Sequence, residues 1–245
     1  MGKATFTCKQ FSISQDQCAM KVSTDACVFG AWAAQKIIEI ELPSPKILDI
    51  GTGTGLLSLM VAQQVANCSI TAIEIDAAAA KQANENLQHS PWHKNIQVLH
   101  TDIKQYSSPN RFDIIISNPP FYERDLLAAT KEKNTAFHDS SLTLSELLKA
   151  SCNLLNTNGF IFLIVPVSRK NDLVKYCDSL HLLITDCCYI RPAPNKKTSR
   201  IVVKCQRDNS PGVSSNNETE LIVQGDYAGY SLNAFLLLKE YYLHL

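Results

Sequence analysis

The sequence predicts an α/β protein built on a doubly wound, mostly parallel sheet. Three observations predict it. Short, β-branched, near-continuous apolar runs recur along the chain. Helix-period segments separate them. A glycine-rich turn joins the first run to the first long helix. Near-continuous apolar runs are how strands covered on both faces read. Strands alternating with helices over short links are the pattern of a doubly wound sheet.

The strand candidates, in order, are KILDI (46–50), SITAIEI (69–75), IQVLHT (96–101), FDIIIS (112–117) and FIFLIVP (160–166). Between them, TGLLSLMVAQQVA (54–66) carries apolar residues at three-four spacing. DAAAAKQANENLQ (76–88) is alanine-rich and begins with an Asp suited to an N-cap. TLSELLKASCNLL (143–155) has the same period, and Asn158-Gly159 reads as its stop. LITDCCYIR and SRIVVKCQR flank PAPNKKT, so a hairpin or strand pair is added to the sheet, with an antiparallel strand near the C-terminal end. DNSPGVSSNNETE (208–220) is polar and turn-rich and reads as a flexible surface loop. YSLNAFLLLKEYYL reads as a docking C-terminal helix. No second core is evident, so residues 1–245 are expected to form one domain, with 1–45 as an N-terminal extension.

Composition bounds the function. Of 245 residues, 45% are hydrophobic, enough for a sizeable core. Formal net charge is zero, so any nucleic-acid surface must be a local patch. The nine cysteines form no C-x-x-C pair, which argues against a disulfide framework and against a metal site. They read as small buried hydrophobes in a reducing compartment. The N-terminus has no apolar signal region, and no 18-residue apolar run exists. The expectation is a soluble, cytoplasmic protein that uses no metal.

The chemistry begins at LDIGTGTG. Gly51, Gly53 and Gly55 clear side chains where a ligand could approach the backbone, at the carboxyl end of a strand where such sheets bind ligands. A tight turn with spare glycines is the plainer reading. The dinucleotide fingerprint requires a third glycine where Leu56 stands. Asp49, just before the loop, suits a ligand with a positive amino group, as S-adenosylmethionine has. Glu74 closes the second strand about 20 residues later, the place for an acid that grips ribose hydroxyls. Asp102 ends the third strand and could accept the adenine amino group, with Ile75 and Ile103 closing over the ring. A plain turn role for Asp102 stays open.

The fourth strand ends in Asn118-Pro119-Pro120-Phe121. Proline donates no backbone hydrogen bond, so the strand cannot continue. The sequence makes sense if the substrate is a planar exocyclic amine, whose lone pair is drawn into its ring. The Asn118 side-chain oxygen and the Pro119 carbonyl could each accept one N–H and free that lone pair. The prolines hold both acceptors in place. Phe121 offers a face on which an extruded base can stack.

D-x-G-x-G-x-G resembles the first motif of class I methyltransferases, and NPPF resembles the fourth motif of those that methylate amino groups. The resemblance extends further. FTCKQFSISQDQCAMKVSTDACVFGAWA (6–33), LDIGTGTGLLSLMVAQ, ENLQHSPW, TDIKQY, RFDIIISNPPFY and LIVQGDYAGYSLNAF together resemble, in order, the bacterial tRNA(Val) adenine-N6 methyltransferase family. It is weakest between 167 and 220. The resemblance implies a Rossmann-like class I methyltransferase sheet. It implies S-adenosyl-L-methionine as cofactor and tRNA as partner, with N6 of adenosine 37, next to the anticodon, as target. Asn118, Pro119 and Phe121 would hold the base. Asp49, Gly51, Glu74 and Asp102 would hold the cofactor. Lys21, Thr24 and Asp25, in KVSTD, would close over its methionine end. Phe121 stands where Tyr is frequent in the family.

Residues 191–207 carry Arg191, Lys196, Lys197, Arg200, Lys204 and Arg207 with no acid among them. In a chain of zero net charge this run suits phosphate contacts, although a solvated face is the commoner reading of such runs. His138 is a further candidate near the site. Two rivals remain: a glutamine-amide N5 protein methyltransferase, and a nucleoside- or RNA-binding module without catalysis. Only 45 residues precede the first core strand, few for the helical domain that the first rival usually carries.

Overall fold

The computed structural model describes residues 5–18, 20–120, 142–208 and 217–244. Phe121 and His138 lie outside the described residues. A small antiparallel pair, β1 (Thr5–Thr7) and β2 (Ser12–Ser14), opens the chain, followed by α1 (Thr24–Ile38). The main sheet uses β3 (Lys46–Ile50), β4 (Ser69–Glu74), β5 (Ile96–His100), β6 (Phe112–Ser117), β7 (Leu155–Pro166), β8 (Leu182–Arg191), β9 (Arg200–Arg207) and β10 (Asn217–Ile222). Its helices are α2 (Leu56–Gln64), α3 (Ala77–Gln88), α4 (Leu144–Leu154), α5 (Lys170–Ser179) and α6 (Leu232–Leu238). A short β11 (Gln224–Tyr227) precedes α6.

The eight strands lie in the order β10-β8-β9-β7-β6-β3-β4-β5. All adjacent pairs are parallel except those made by β9, which runs antiparallel to both β7 and β8. From β3 the chain winds outward through β4 to β5, then returns to place β6 on the other side of β3. The crevice between β3 and β6 is therefore the point where strand order reverses, where such sheets bind ligands.

Two apolar layers cover the sheet. One joins α1, α2 and α6 through Phe29, Trp32, Met60 and Leu238 to Phe162 and Ile164 of β7. Trp32 meets Phe162 edge to face at 6.0 Å and 70°. The other joins Leu147 and Leu148 of α4 and Leu173 of α5 to Leu163 and Val165. Burying side chains of this size contributes roughly 1.5–3 kcal/mol each. Eight of the nine cysteines are buried, Cys18 being partly exposed.

The strand runs of the sequence appear within a residue or two, except that β7 begins at Leu155, five residues before the expected start at Phe160. Asp76 caps α3, its Oδ1 accepting from the Ala79 N–H at 2.8 Å. Three expectations need correction. Helix α2 is buried on every side from Leu56 to Ala62, so it lacks the apolar stripe its spacing suggested. Asn217–Glu220, read as the end of a loop, belong to edge strand β10, pairing in parallel with β8. Asn158-Gly159 is not a helix stop, because β7 already begins at Leu155, straight after α4.

Gly159 has another reason to be glycine. A Cβ there would stand 2.9 Å from the Asp113 carbonyl and 2.7 Å from Leu155, beside the register shift between β6 and β7. Overpacking of this kind costs about 1–3 kcal/mol. Gly159→Ala should lower stability by that amount in urea melts without changing the slope of the transition.

Candidate active site

The crevice is built from the carboxyl ends of β3, β4, β5 and β6. Gly51, Gly53 and Gly55 all take the left-handed backbone, at φ 70°, 56° and 83°, which costs other residues steric strain. At Gly51 and Gly53 a Cβ would meet nothing within 4 Å, so open space lies over the loop. Gly55 sits 3.4 Å from Leu87. The Gly51 and Thr52 N–H groups both reach the Ile73 carbonyl, at 2.8 and 3.0 Å, and pin the loop to β4.

Asp49 lies under this loop, fully buried. Its Oδ2 accepts from Thr52 Oγ1 at 2.6 Å and Ser58 Oγ at 2.7 Å. Its Oδ1 is buried with no hydrogen-bond partner. Burial pushes the Asp49 carboxyl up to about 6. The Thr52 and Ser58 hydroxyls pull it down, and the Glu74 charge adds to the rise. A buried acceptor without a donor costs about 1–3 kcal/mol, which a ligand's ammonium would offset. The orphaned oxygen and the side-chain-free loop together fit the amino group and body of S-adenosylmethionine.

Glu74 is 9% exposed and tied to backbone: Oε2 accepts from Gly53 N–H at 2.9 Å, Oε1 from Ile75 and Asp76 N–H at 2.9 and 3.0 Å. Its carboxylate is thus fixed at the crevice wall. Asp102, half-buried at the end of β5, accepts from Lys104 N–H at 2.9 Å and so makes the turn bond while standing at the crevice rim. Ile75 is 50% exposed, free to cover a ring. Ile103 is 6% exposed and packs in the core with Leu48, Ile50 and Ile73, so it can contribute only to the floor.

Asn118 follows β6 directly and is half-buried, and its amide has no hydrogen-bond partner among the described residues. Pro119 is buried and Pro120 exposed. Ser117, fully buried, donates to the Ile50 carbonyl at 2.7 Å and locks this end of β6 to the glycine loop. In the N-terminal segment Ser23 caps α1, and Lys21, Thr24 and Asp25 lie at or just before its first turn.

The basic run does not form one acid-free patch in space. Lys204 is paired with Asp186 at 2.9 Å, with its ammonium over Phe160, in the middle of the sheet. This separates it from the other candidates. Arg191 bonds Glu220 at 2.5 Å, and Arg200 lies 3.8 Å from Asp25. Arg207 donates to the Cys152 carbonyl at the far end of β9. Lys196 and Lys197 are exposed, without ion-pair partners among the described residues, on the β8–β9 hairpin at the crevice edge.

Sequence reasoning missed Thr52 and Ser58, which hold Asp49, Ser117, which sets the height of Asn118, and Gln82 and Asn86 on α3. The last two carried a signal: polar residues four apart on a helix otherwise apolar on that face. A cavity of about 470 Å³, lined in part by Trp32, Gln35, Leu221 and Leu237, opens between α1, α6 and β10. None of the crevice residues lines it.

Fold and crevice define a Rossmann-like class I methyltransferase. The methyltransferase small domain family model matches residues 33–171. A predicted O-methyltransferase of Agrobacterium tumefaciens is similar in fold, with TM-score 0.63 at 17% identity, covering 88% of this chain and 95% of that one. Two curated relatives are more specific, both named tRNA1(Val) (adenine(37)-N6)-methyltransferase. The Dyadobacter fermentans protein is 43% identical over 83% of this chain and 82% of its own. That of Bacteroides thetaiotaomicron is 36% identical over the full length of both. The chain belongs to the family of tRNA1(Val) (adenine(37)-N6)-methyltransferases.

Asp49 would give a cofactor bound in this crevice a pH signature. Its folded pKa is raised, so below about pH 6 it is held neutral. Without ligand its contribution to stability falls as pH rises from the ordinary carboxylate range through that value. A bound ammonium favours the ionised form and expels the proton. Affinity for S-adenosylhomocysteine should therefore rise between pH 5 and 7, by at most about tenfold per unit. Calorimetry on Asp49→Asn should show this pH dependence gone and binding weaker throughout.

Proposed function

We infer that this protein transfers the methyl group of S-adenosylmethionine to the exocyclic N6 of an adenosine in tRNA, position 37 beside the anticodon of tRNA(Val), in the cytoplasm. The observation that carries the reading is Asn118. Its amide, which has no hydrogen-bond partner among the described residues, stands at the end of β6, one residue beyond the Ser117–Ile50 bond that joins this strand to the glycine loop. When bound, the cofactor supplies an electrophilic methyl group on a sulfonium.

The chain's own part is acceptance and alignment. Asn118 Oδ1 and the Pro119 carbonyl each take one N–H of the amine, so its lone pair turns out of the ring. The same two oxygens stabilise the positive charge that develops on nitrogen as the methyl arrives. Pro119 and Pro120 fix φ and keep both acceptors in place. Phe121 stacks on the base. Asp49, Glu74 and the glycine loop hold the cofactor, with Asp102, Ile75 and Ile103 about the adenine and Lys21, Thr24 and Asp25 at the methionine end. Lys196, Lys197 and Arg200 on the hairpin, with Arg191 at its base, contact RNA phosphates. Lys204 is left out of that surface because it stands in mid-sheet opposite Phe162, away from the hairpin.

Nucleoside mass spectrometry of tRNA(Val) incubated with protein and cofactor should show one new N6-methyladenosine. Methylation of a glutamine amide in a protein, with none in tRNA, would overturn the reading. Asn118→Ala should leave S-adenosylhomocysteine affinity nearly intact and cut single-turnover transfer by about 10² or more, the scale of one lost transition-state partner. Replacing Lys196, Lys197 and Arg200 together by Ala should weaken tRNA binding. Each cation removed from a phosphate should reduce the log–log salt slope by about one unit.

A further inference from the structure

Two amides on α3 reach across the molecule to backbone far away in sequence. Asn86, 6% exposed, accepts from the Ser14 N–H and donates to the Ser14 carbonyl, both at 2.9 Å. It also donates to the Thr54 carbonyl at 2.9 Å, so one side chain ties the end of β2 to the glycine loop. Gln82 lies one turn earlier on the same helix face and is 1% exposed. It accepts from the Gln17 N–H at 3.2 Å and donates to Asp16 Oδ1 at 2.6 Å. Gln15 then folds the segment on itself, its Oε1 accepting from the Val22 N–H at 2.7 Å. Cys18 is close enough to Glu74 and Asp76 for their charges to add to the burial that raises its thiol. The segment therefore runs beside the acid at the end of β4 and leads directly into Ser23, the cap of α1.

An apolar contact would dock this segment but leave it free to slide. Five hydrogen bonds from two buried amides fix its register, and one of them fixes it to the loop that faces the ligand. We propose that Gln82 and Asn86 form a clasp that holds the segment from Ser14 to Cys18 as a wall of the cofactor crevice, which makes both of them positioning residues for the cofactor. The proposal rests on the crevice being the S-adenosylmethionine site. Neither amide touches reacting atoms. Their effect is on cofactor binding, and it passes through the segment.

Gln82 separates this role from a merely structural one, because its hydrogen bonds go to the segment and not to the glycine loop. Gln82→Met keeps the volume and removes both bonds. In the ligand-free full chain it should abolish hydrogen-exchange protection of the Gln17 amide and speed tryptic cleavage after the exposed Lys21. By calorimetry its dissociation constant for S-adenosylhomocysteine should rise about tenfold, the scale of one or two missing hydrogen bonds. The cofactor KM should rise with it, while kcat at saturating cofactor stays within about twofold, as when uniform binding is removed. Asn86→Ala should do the same more strongly. Asp16→Ala alters only an exposed residue, so it tests the same bond without risk to the core and should move the affinity in the same direction. Unchanged affinity in Gln82→Met and Asp16→Ala overturns the proposal, as does a fall in kcat at constant KM, or a Gln17 amide that stays protected in Gln82→Met. A wild-type chain that protects Gln17 yet binds no S-adenosylhomocysteine overturns the cofactor reading itself, and the clasp's role with it.

Discussion

The register between β3 and β6 is the constraint on which the rest of the crevice depends. Ile50 stands opposite Ser117 in the parallel pair, and the Ser117 hydroxyl donates to the Ile50 carbonyl at 2.7 Å. A slip of one residue would turn every side chain of β6 to the opposite face. It would also carry Asn118 away from the glycine loop. That loop is pinned in turn to β4 through the Ile73 carbonyl, and Glu74, the next residue, returns a bond to the Gly53 N–H at 2.9 Å. Three strand ends thus share one rigid frame. The groups assigned to base and cofactor come from different strands, and only this frame brings them to one crevice.

Within the frame, local stability has been given up over a short stretch. Between Asp49 and Gly55 the chain holds three left-handed glycines and a fully buried carboxylate with one oxygen unpartnered. A sequence chosen only for stability would remove such features, and their concentration at one strand end is what a ligand site looks like. Asp49 is tolerable because Thr52 and Ser58 each give its Oδ2 a hydroxyl donor. Those hydroxyls satisfy half of the carboxylate and leave the other half for a ligand. The apolar layers on both sides of the sheet supply the stability that this arrangement gives away.

What could be read from the sequence followed from how local the signal is. KILDI and FDIIIS appear as strands at their expected bounds, because burial on both faces keeps most of each run apolar. Asp49, the three glycines and Asn118 were visible because their chemistry depends on neighbours in sequence. Helix α1 left no periodic trace, since ten of its fifteen residues are buried and no polar stripe marks its axis. Helix α5 buries only Leu173 and Cys177, too few to set a period. What Asn86 pairs with was out of reach for a different reason. Its partner Ser14 lies 72 residues away, and no spacing rule joins a helix amide to a strand that the fold alone brings beside it.

The basic run shows how strand direction decides which charges can act together. Arg200 to Arg207 is one extended strand, and at about 3.4 Å per residue its ends lie roughly 24 Å apart. Because β9 is antiparallel to β7, Arg200 faces Pro166 at the crevice edge, Lys204 faces Phe162 in mid-sheet, and Gln206 faces Phe160 further down. A run that looks like one patch in sequence is therefore spread across the whole height of the sheet. Lys204 meets Asp186, and the Asp186 carboxyl is held below its ordinary range although burial opposes this, the Lys204 hydrogen bond and charge being chief among the opposing causes. Only the hairpin end stays at the crevice. There Arg200 lies beside Asp25, in the first turn of the helix that the N-terminal segment leads into. Antiparallel insertion of β9 thus sorts the cations: those at its start share an edge with Asn118, and those further along serve the sheet.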